Sequence, residues 1–174
     1  MEKTQAEKQI DAINEQINKQ MHFAFNDCVR VALDNNDCEF IGKLYAEIRD
    51  RLCKMVQKDG KMFQKIHGKF DVEFLRELMK NDQLTVGQLH GVVNMTFGFI
   101  DDLQAPFRDK ESEAAKQRVL SGVDAEDIVP AYLNEVHSCL DNIEHDIKEL
   151  MENRNHPVVK AVLERGLVAA GIKK

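Results

Sequence analysis

The stretch Thr85–Gln104, TVGQLHGVVNMTFGFIDDLQ, decides the fold. Its opening, Thr85-Val86-Gly87-Gln88, fits a capping box, in which the threonine hydroxyl and the glutamine side chain satisfy each other's orphan amides at a helix start. Leu89, Val92, Val93, Met95, Phe97, Phe99, Ile100 and Leu103 then place apolar side chains on more than one face, and no charge falls between Val92 and Ile100. A helix of this kind belongs in the middle of a bundle. Gly87, Gly91 and Gly98 each lower helix propensity by up to about 1 kcal/mol against alanine, which predicts that neighbouring helices come close there. Pro106 ends the helix, because a residue preceding proline is pushed out of the α region.

Working outward, both flanks read as helix. From Thr4 to about Leu33 the residues Ile10, Ile13, Ile17, Met21, Ala24, Cys28 and Val31 recur in steps of three and four, one long amphipathic helix that stops at Asp34-Asn35-Asn36-Asp37. A second helix turns Phe40, Ile41, Leu44, Ile48, Leu52 and Met55 inward and carries Glu39, Lys43, Glu47 and Arg51 as a solvated stripe of alternating sign. Asp59-Gly60 marks a turn, followed by a short helical stretch through Met62, Phe63 and Ile66 to Gly68, and Asp71 opens another helix over Val72–Lys80. Beyond Pro106 a charged helix runs from about Asp109 to Ser121, with Gly122 as its C-cap. Pro130 suits the first turn of a long helix whose Leu133, Val136, Leu140, Ile143, Ile147 and Leu150 form a seam that must pack on another helix. His156-Pro157 starts a last short helix through Val158, Val159, Val162 and Leu163, interrupted by Gly166. The expectation is an all-α single domain over 1–174, a bundle of six to seven helices around the central apolar helix 85–104.

Composition narrows the function classes. The 174 residues are 43% hydrophobic and 31% charged, enough apolar material to bury a core without disulfides or metal. Thirty acidic against 24 basic side chains, a net charge of −6 with no long basic block, argue against nucleic acid as a partner. The longest apolar helix has Gln88, His90 and Asn94 in its first half, which reads as a core helix and not a membrane insertion. A polar, helical N-terminus and four scattered cysteines (Cys28, Cys38, Cys53, Cys139) predict a reducing, cytoplasmic setting.

Chemical motifs are sparse. There is no G-x-S-x-G elbow, no glycine-rich phosphate loop and no Glu-x-x-His pair of the kind that ferritin-like bundles use, so the sequence predicts no enzyme, no cofactor and no catalytic residue. His137, Asp141, His145 and Glu149 stand at i+4 intervals and offer the one metal alternative, a metal-binding helical bundle. In the heptad set by the apolar seam they fall on flank and outer positions, which favours a hydrated polar face. His22, His67 and His90 are isolated and read as surface or satisfied core histidines.

Unusual residues meet at one corner, Leu103-Gln104-Ala105-Pro106-Phe107-Arg108-Asp109. Proline forces the turn, Arg108 brings a five-donor fork to the exposed carbonyls at the end of the central helix, and Asp109 can cap the next one. Such a corner serves as a structural staple or, through Pro106, Phe107, Arg108 and Asp109, as a surface that recognises an acidic protein partner.

Here the chain resembles the T-complex protein 11 family, whose members carry a Cys-Ala-Pro-x-Arg-Asp signature matched by Ala105, Pro106, Arg108 and Asp109. The similarity runs from Asp71-Val72-Glu73-Phe74-Leu75 through the capped helix to about Lys116, with Gln104 standing where the family usually has cysteine. The resemblance implies a short, divergent member: a cytoplasmic, all-helical protein without a known catalytic site, associated with signalling through the cAMP-dependent protein kinase pathway. Bcl-2-like regulators are similar in size, but they show an Asn-Trp-Gly-Arg motif and this chain has no tryptophan. The expected role is a non-enzymatic interaction and regulatory module with a protein partner, with pairing of copies through the long first helix as a further expectation.

Overall fold

In the computed structural model, which describes residues 2–158, 160 and 161, each helix boundary can be traced to local chemistry. Helix α1 (Gln5–Asp34) starts at a capping box between Thr4 and Glu7, and α2 (Cys38–Lys54) starts where the Asp37 carboxylate accepts the Phe40 amide. Between them Asn36 takes a left-handed φ of 53°, and its side-chain amide donates to the Met79 carbonyl at 2.7 Å. Asparagine tolerates that conformation better than most residues, and the bond ties this turn to the far end of α4. Helices α3 (Lys61–Lys69) and α4 (Val72–Lys80) follow, with Asp59, and not Gly60, taking the left-handed position at the turn before α3.

Helix α5 (Val86–Leu103) carries the expected capping box, with Gln88 and Thr85 bonded reciprocally. A single 3₁₀ turn (Pro106–Arg108) leads into α6 (Asp109–Leu120), and α7 (Ala125–Glu152) completes an all-α bundle with no strand among the described residues. Val93, Phe97, Phe99 and Ile100 of α5 are buried with Val119 of α6 and Leu133, Val136, Leu140 and Ile143 of α7. Helix α7 packs on α5, α6, α1 and α2, while α3 and α4 lean on α2. In the middle of the core the Thr96 and Tyr132 hydroxyls meet at 2.8 Å, so neither polar group is left unpaired. No described helix is long and apolar enough to cross a membrane.

Several local expectations are corrected. Helix α7 begins at Ala125 behind the Asp124 cap, five residues earlier than Pro130, whose buried ring lies inside the helix. Asp124 supplies the stronger start, because its carboxylate accepts the Asp127 amide and proline has no amide to satisfy. The cap of α6 is Ser121, with Gly122 one position beyond it. Gly91 and Gly98 have open space where a side chain would stand, and Gly87 meets only the Thr85 hydroxyl at 3.8 Å, so no neighbouring helix approaches them. The close approaches occur elsewhere: a Cβ on Gly42 would meet Arg76 Nε at 2.6 Å, and one on Gly122 would meet Ile128 Cγ1 at 2.7 Å.

The first helix differs most from its neighbours. Its stripe Ile10, Ile13, Ile17, Met21, Ala24, Cys28 and Val31 faces solvent throughout, and the body is held instead by Phe25, Val29, Ala32 and Leu33 on another face. The last expected helix is helical at Pro157, Val158, Lys160 and Ala161, whereas Val159, Val162, Leu163 and Gly166 lie outside the described residues.

Candidate functional site

The corner after α5 is built by proline. Ala105 is extended (φ −67°, ψ 141°), as a residue before proline must be, and the chain turns through Pro106 and Phe107 to deliver Arg108 toward α7. Arg108 does not reach the carbonyls at the end of α5. Its Nε and Nη2 donate to the two carboxylate oxygens of Asp146 at 3.0 and 2.9 Å, and Nη1 donates to Glu111 at 3.1 Å. A planar fork matched to a carboxylate fixes the geometry of this pair, as it does for Arg118 and Glu135 at 2.8 and 3.0 Å. The hydrogen bonds from Arg108 hold the Asp146 carboxyl below its ordinary range, and the same bonds raise the pKa of the arginine further. Asp109 does not cap α6 either; it is the first helical residue, and its carboxylate accepts the Gln104 side-chain amide at 2.9 Å.

Gln104 ties together the two helices that meet at the corner. Its amide nitrogen lies within hydrogen-bond distance of Asp101, Asp109 and Ser112, the last at 2.7 Å, and the buried Ser112 hydroxyl donates onward to Asp101. A cysteine has no amide group with which to link the end of α5 to the start of α6. The neighbouring Phe107 remains 68% exposed, with the Arg108 guanidinium 4.8 Å from its ring centroid. Beside it opens a groove of about 500 Å³ whose walls include Ala105, Phe107, Asp146, Glu149, Leu150 and His156. The result is an aromatic ring presented on a rigid corner above a groove whose two carboxylates are Asp146, held by Arg108, and Glu149.

The polar stripe on α7 is divided in two. Arg51 of α2 reaches across to bond Asp141 at 2.8 Å, Glu144 at 2.9 Å and Nδ1 of His137 at 2.8 Å. A guanidinium only donates, so His137 Nδ1 accepts and the ring carries its proton on Nε2. Burial, reinforced by Arg51, lowers the pKa of His137 and keeps the ring neutral. His145 pairs separately with Glu149 at 3.2 Å. His145, Asp146 and Glu149 can bring one ligand atom each within 4.8 Å of one another, but both oxygens of Asp146 already face Arg108. His137 and Asp141 thus belong to an interhelical clasp, and Glu149, paired with His145, to the corner groove.

Sequence reasoning did not find Asp146 or Arg51 as partners of these groups. Asp146 lies 38 positions beyond Arg108, and Arg51 lies 90 before Asp141, so no local spacing announces either pair. Arg51 was visible only as one charge in the α2 stripe, which in the structure joins helices: Glu39 faces Arg76 of α4 at 3.6 Å. Of the isolated histidines, His22 is exposed, His67 stacks on Phe63, and His90 is half-buried with Nε2 lacking a partner. The Cys53 and Cys139 thiols are buried, and burial pushes Cys139 up to about 11, whereas Cys28 is exposed.

Fold and site together define an all-α bundle with an arginine-stapled Pro-x-Arg-Asp corner. The model of the T-complex protein 11 family matches residues 2–166 of the 174, well beyond the segment that carries the signature, and the chain belongs to that family. No curated protein and no solved structure matches the chain.

Proposed function

We propose that the chain is a non-catalytic interaction module that binds a protein partner through the corner Pro106–Asp109, and that it works in intracellular signalling, as its family membership suggests. One observation carries the reading: Phe107 is 68% exposed on a backbone fixed by Pro106 and by the Arg108–Asp146 fork. A rigid exposed aromatic beside a groove is the kind of anchor on which protein interfaces concentrate their binding energy, because little conformational entropy remains to be lost. Arg108 itself is engaged within the molecule, so its role in this reading is to position Phe107 and not to grip an acidic partner.

The test is co-purification from the native cell, with folded Phe107→Ala compared with the unaltered chain. A partner that is captured by the unaltered protein and lost by Phe107→Ala supports the reading. Equal capture by both proteins removes the corner as the contact. The Arg108→Ala chain should lose the same partner while its apolar core stays folded, because the corner loosens.

A further inference from the structure

We infer that the chain forms a reciprocal dimer in which α1 of each copy lays Ile10, Ile13, Ile17 and Met21 into the apolar groove between α4 and α5 of the other. This inference does not depend on the corner. Every described residue before Phe25 is exposed, and these four side chains are 58%, 57%, 47% and 65% exposed. In proteins most helical stability comes from packing an amphipathic face, and the apolar face of this stretch of α1 has no cover within its own chain.

The groove is the complementary vacancy in the body. Helix α4 packs on α2, and the space between α4 and α5 is left as a cleft of about 220 Å³, with Phe74, Leu75, Leu78, Leu84, Val92 and Met95 in its walls. Phe74 is 58% exposed at its mouth, and Gly91 on its floor has no atom within 4 Å of where a Cβ would stand. A missing side chain at that point lets another helix come close. The four α1 residues stand at i, i+3, i+7 and i+11, the anchor spacing of a helix seated in a groove.

The occupant comes from a second copy. Helix α1 is continuous, and its last turns are fixed on the body by Val29, Ala32 and the Asn26–Asn134 bond at 2.6 Å, so Ile10 stands about 28 Å along the axis from Val29 and cannot fold back. Direct pairing of two α1 helices would leave the groove between α4 and α5 open, and a strict heptad from Ile10, Ile13 and Ile17 would put Gln20 and Asp27 on its seam, so such a pair would need the eleven-residue repeat Ile10/Met21, Ile13/Ala24 and Ile17/Cys28 instead. A two-fold exchange uses both unpartnered surfaces of each copy and closes on itself.

Light scattering on the full chain at several concentrations tests this, with circular dichroism confirming that each variant is folded. The unaltered chain should be dimeric; Ile13→Glu/Ile17→Glu and, separately, Gly91→Glu should each be monomeric. An equimolar mixture of the two variants should recover dimer, since one intact helix and one intact groove meet in the mixed pair. An unaltered chain that stays monomeric throughout overturns the inference. So does a dimeric Gly91→Glu beside a monomeric α1 variant, the signature of α1 pairing with α1. A mixture that remains monomeric, or an α1 variant that remains dimeric, overturns it equally.

Discussion

Helices α1 and α7 carry similar apolar seams and meet opposite fates. Both place apolar residues every three or four positions over about twenty residues. In α7, Leu133, Val136, Leu140 and Ile143 are at most 2% exposed, and in α1 every member of the stripe is open to solvent. Even α7 loses its cover toward the end, where Ile147 is 42% exposed. Periodicity states that a helix has a face to bury; it does not state which surface will bury it. Position in the bundle decides that, since α7 is packed by four other helices and α1 touches the body only through its last turns.

The largest expected effect measures this contrast directly. Leu140→Ala removes a side chain with no exposure and leaves a cavity, a loss of about 2–5 kcal/mol in urea unfolding. Ile13→Ala, measured on the monomer, should change stability by no more than about 0.5 kcal/mol, because that residue is 57% exposed. Comparable losses from the two substitutions would mean that the outer face of α1 is covered within its own chain, and the contrast would collapse.

A second pair sharpens the reading of the glycines. Gly122→Ala puts a methyl 2.7 Å from Ile128 Cγ1 and 3.2 Å from the Ile128 amide nitrogen at the start of α7, and backbone there cannot swing aside. A destabilisation of about 1–3 kcal/mol is expected, as for other overpacked sites. Gly98→Ala faces open space in mid-helix and should stabilise the monomer by about 0.5–1 kcal/mol through helix propensity alone. Thermal melts of the two variants should move in opposite directions; a destabilised Gly98→Ala would show that the exposed face of α5 has a neighbour after all.

Much of the fold was legible because its signals are local. The Thr85–Gln88 capping box, the Asp71 start, the break at Pro106 and the core faces of α2, α5 and α7 all depend on residues within one or two turns of each other. The candidate site was legible only as a corner. That Ala105, Pro106, Arg108 and Asp109 stand together could be read from their order, but Arg108 chooses Asp146 and Glu111 over the nearby carbonyls because α7 passes alongside. The polar stripe of α7 shows the same limit. Its i+4 spacing brings His137, Asp141, His145 and Glu149 to one side of a helix, and an arginine from α2 then takes the first two. Glycine was misread for a related reason: low helix propensity marks both close approaches and open faces, and only tertiary structure separates Gly122 from Gly98.

The smallest expected effect belongs to that clasp, which covers the polar side of α7 as the core covers its apolar side. His137 is held neutral by burial and by Arg51, while Glu47, Asp141 and Glu144 oppose the shift. Its folded pKa therefore lies below that of a free imidazole, about 6.5, and in the window between the two values the unfolded chain binds more protons. This contribution to stability is fully present above about pH 6.5 and is lost as pH falls toward the depressed folded value. The urea midpoint of the unaltered chain should drop between about pH 7.5 and about pH 5.5, ahead of most carboxylate titrations, and by less in His137→Gln, which cannot gain a proton there. The effect is modest because the ring is only partly buried and solvent screens the pair. An equal drop in both proteins would remove His137 from the acid response and leave Arg51 held by Asp141 and Glu144 alone.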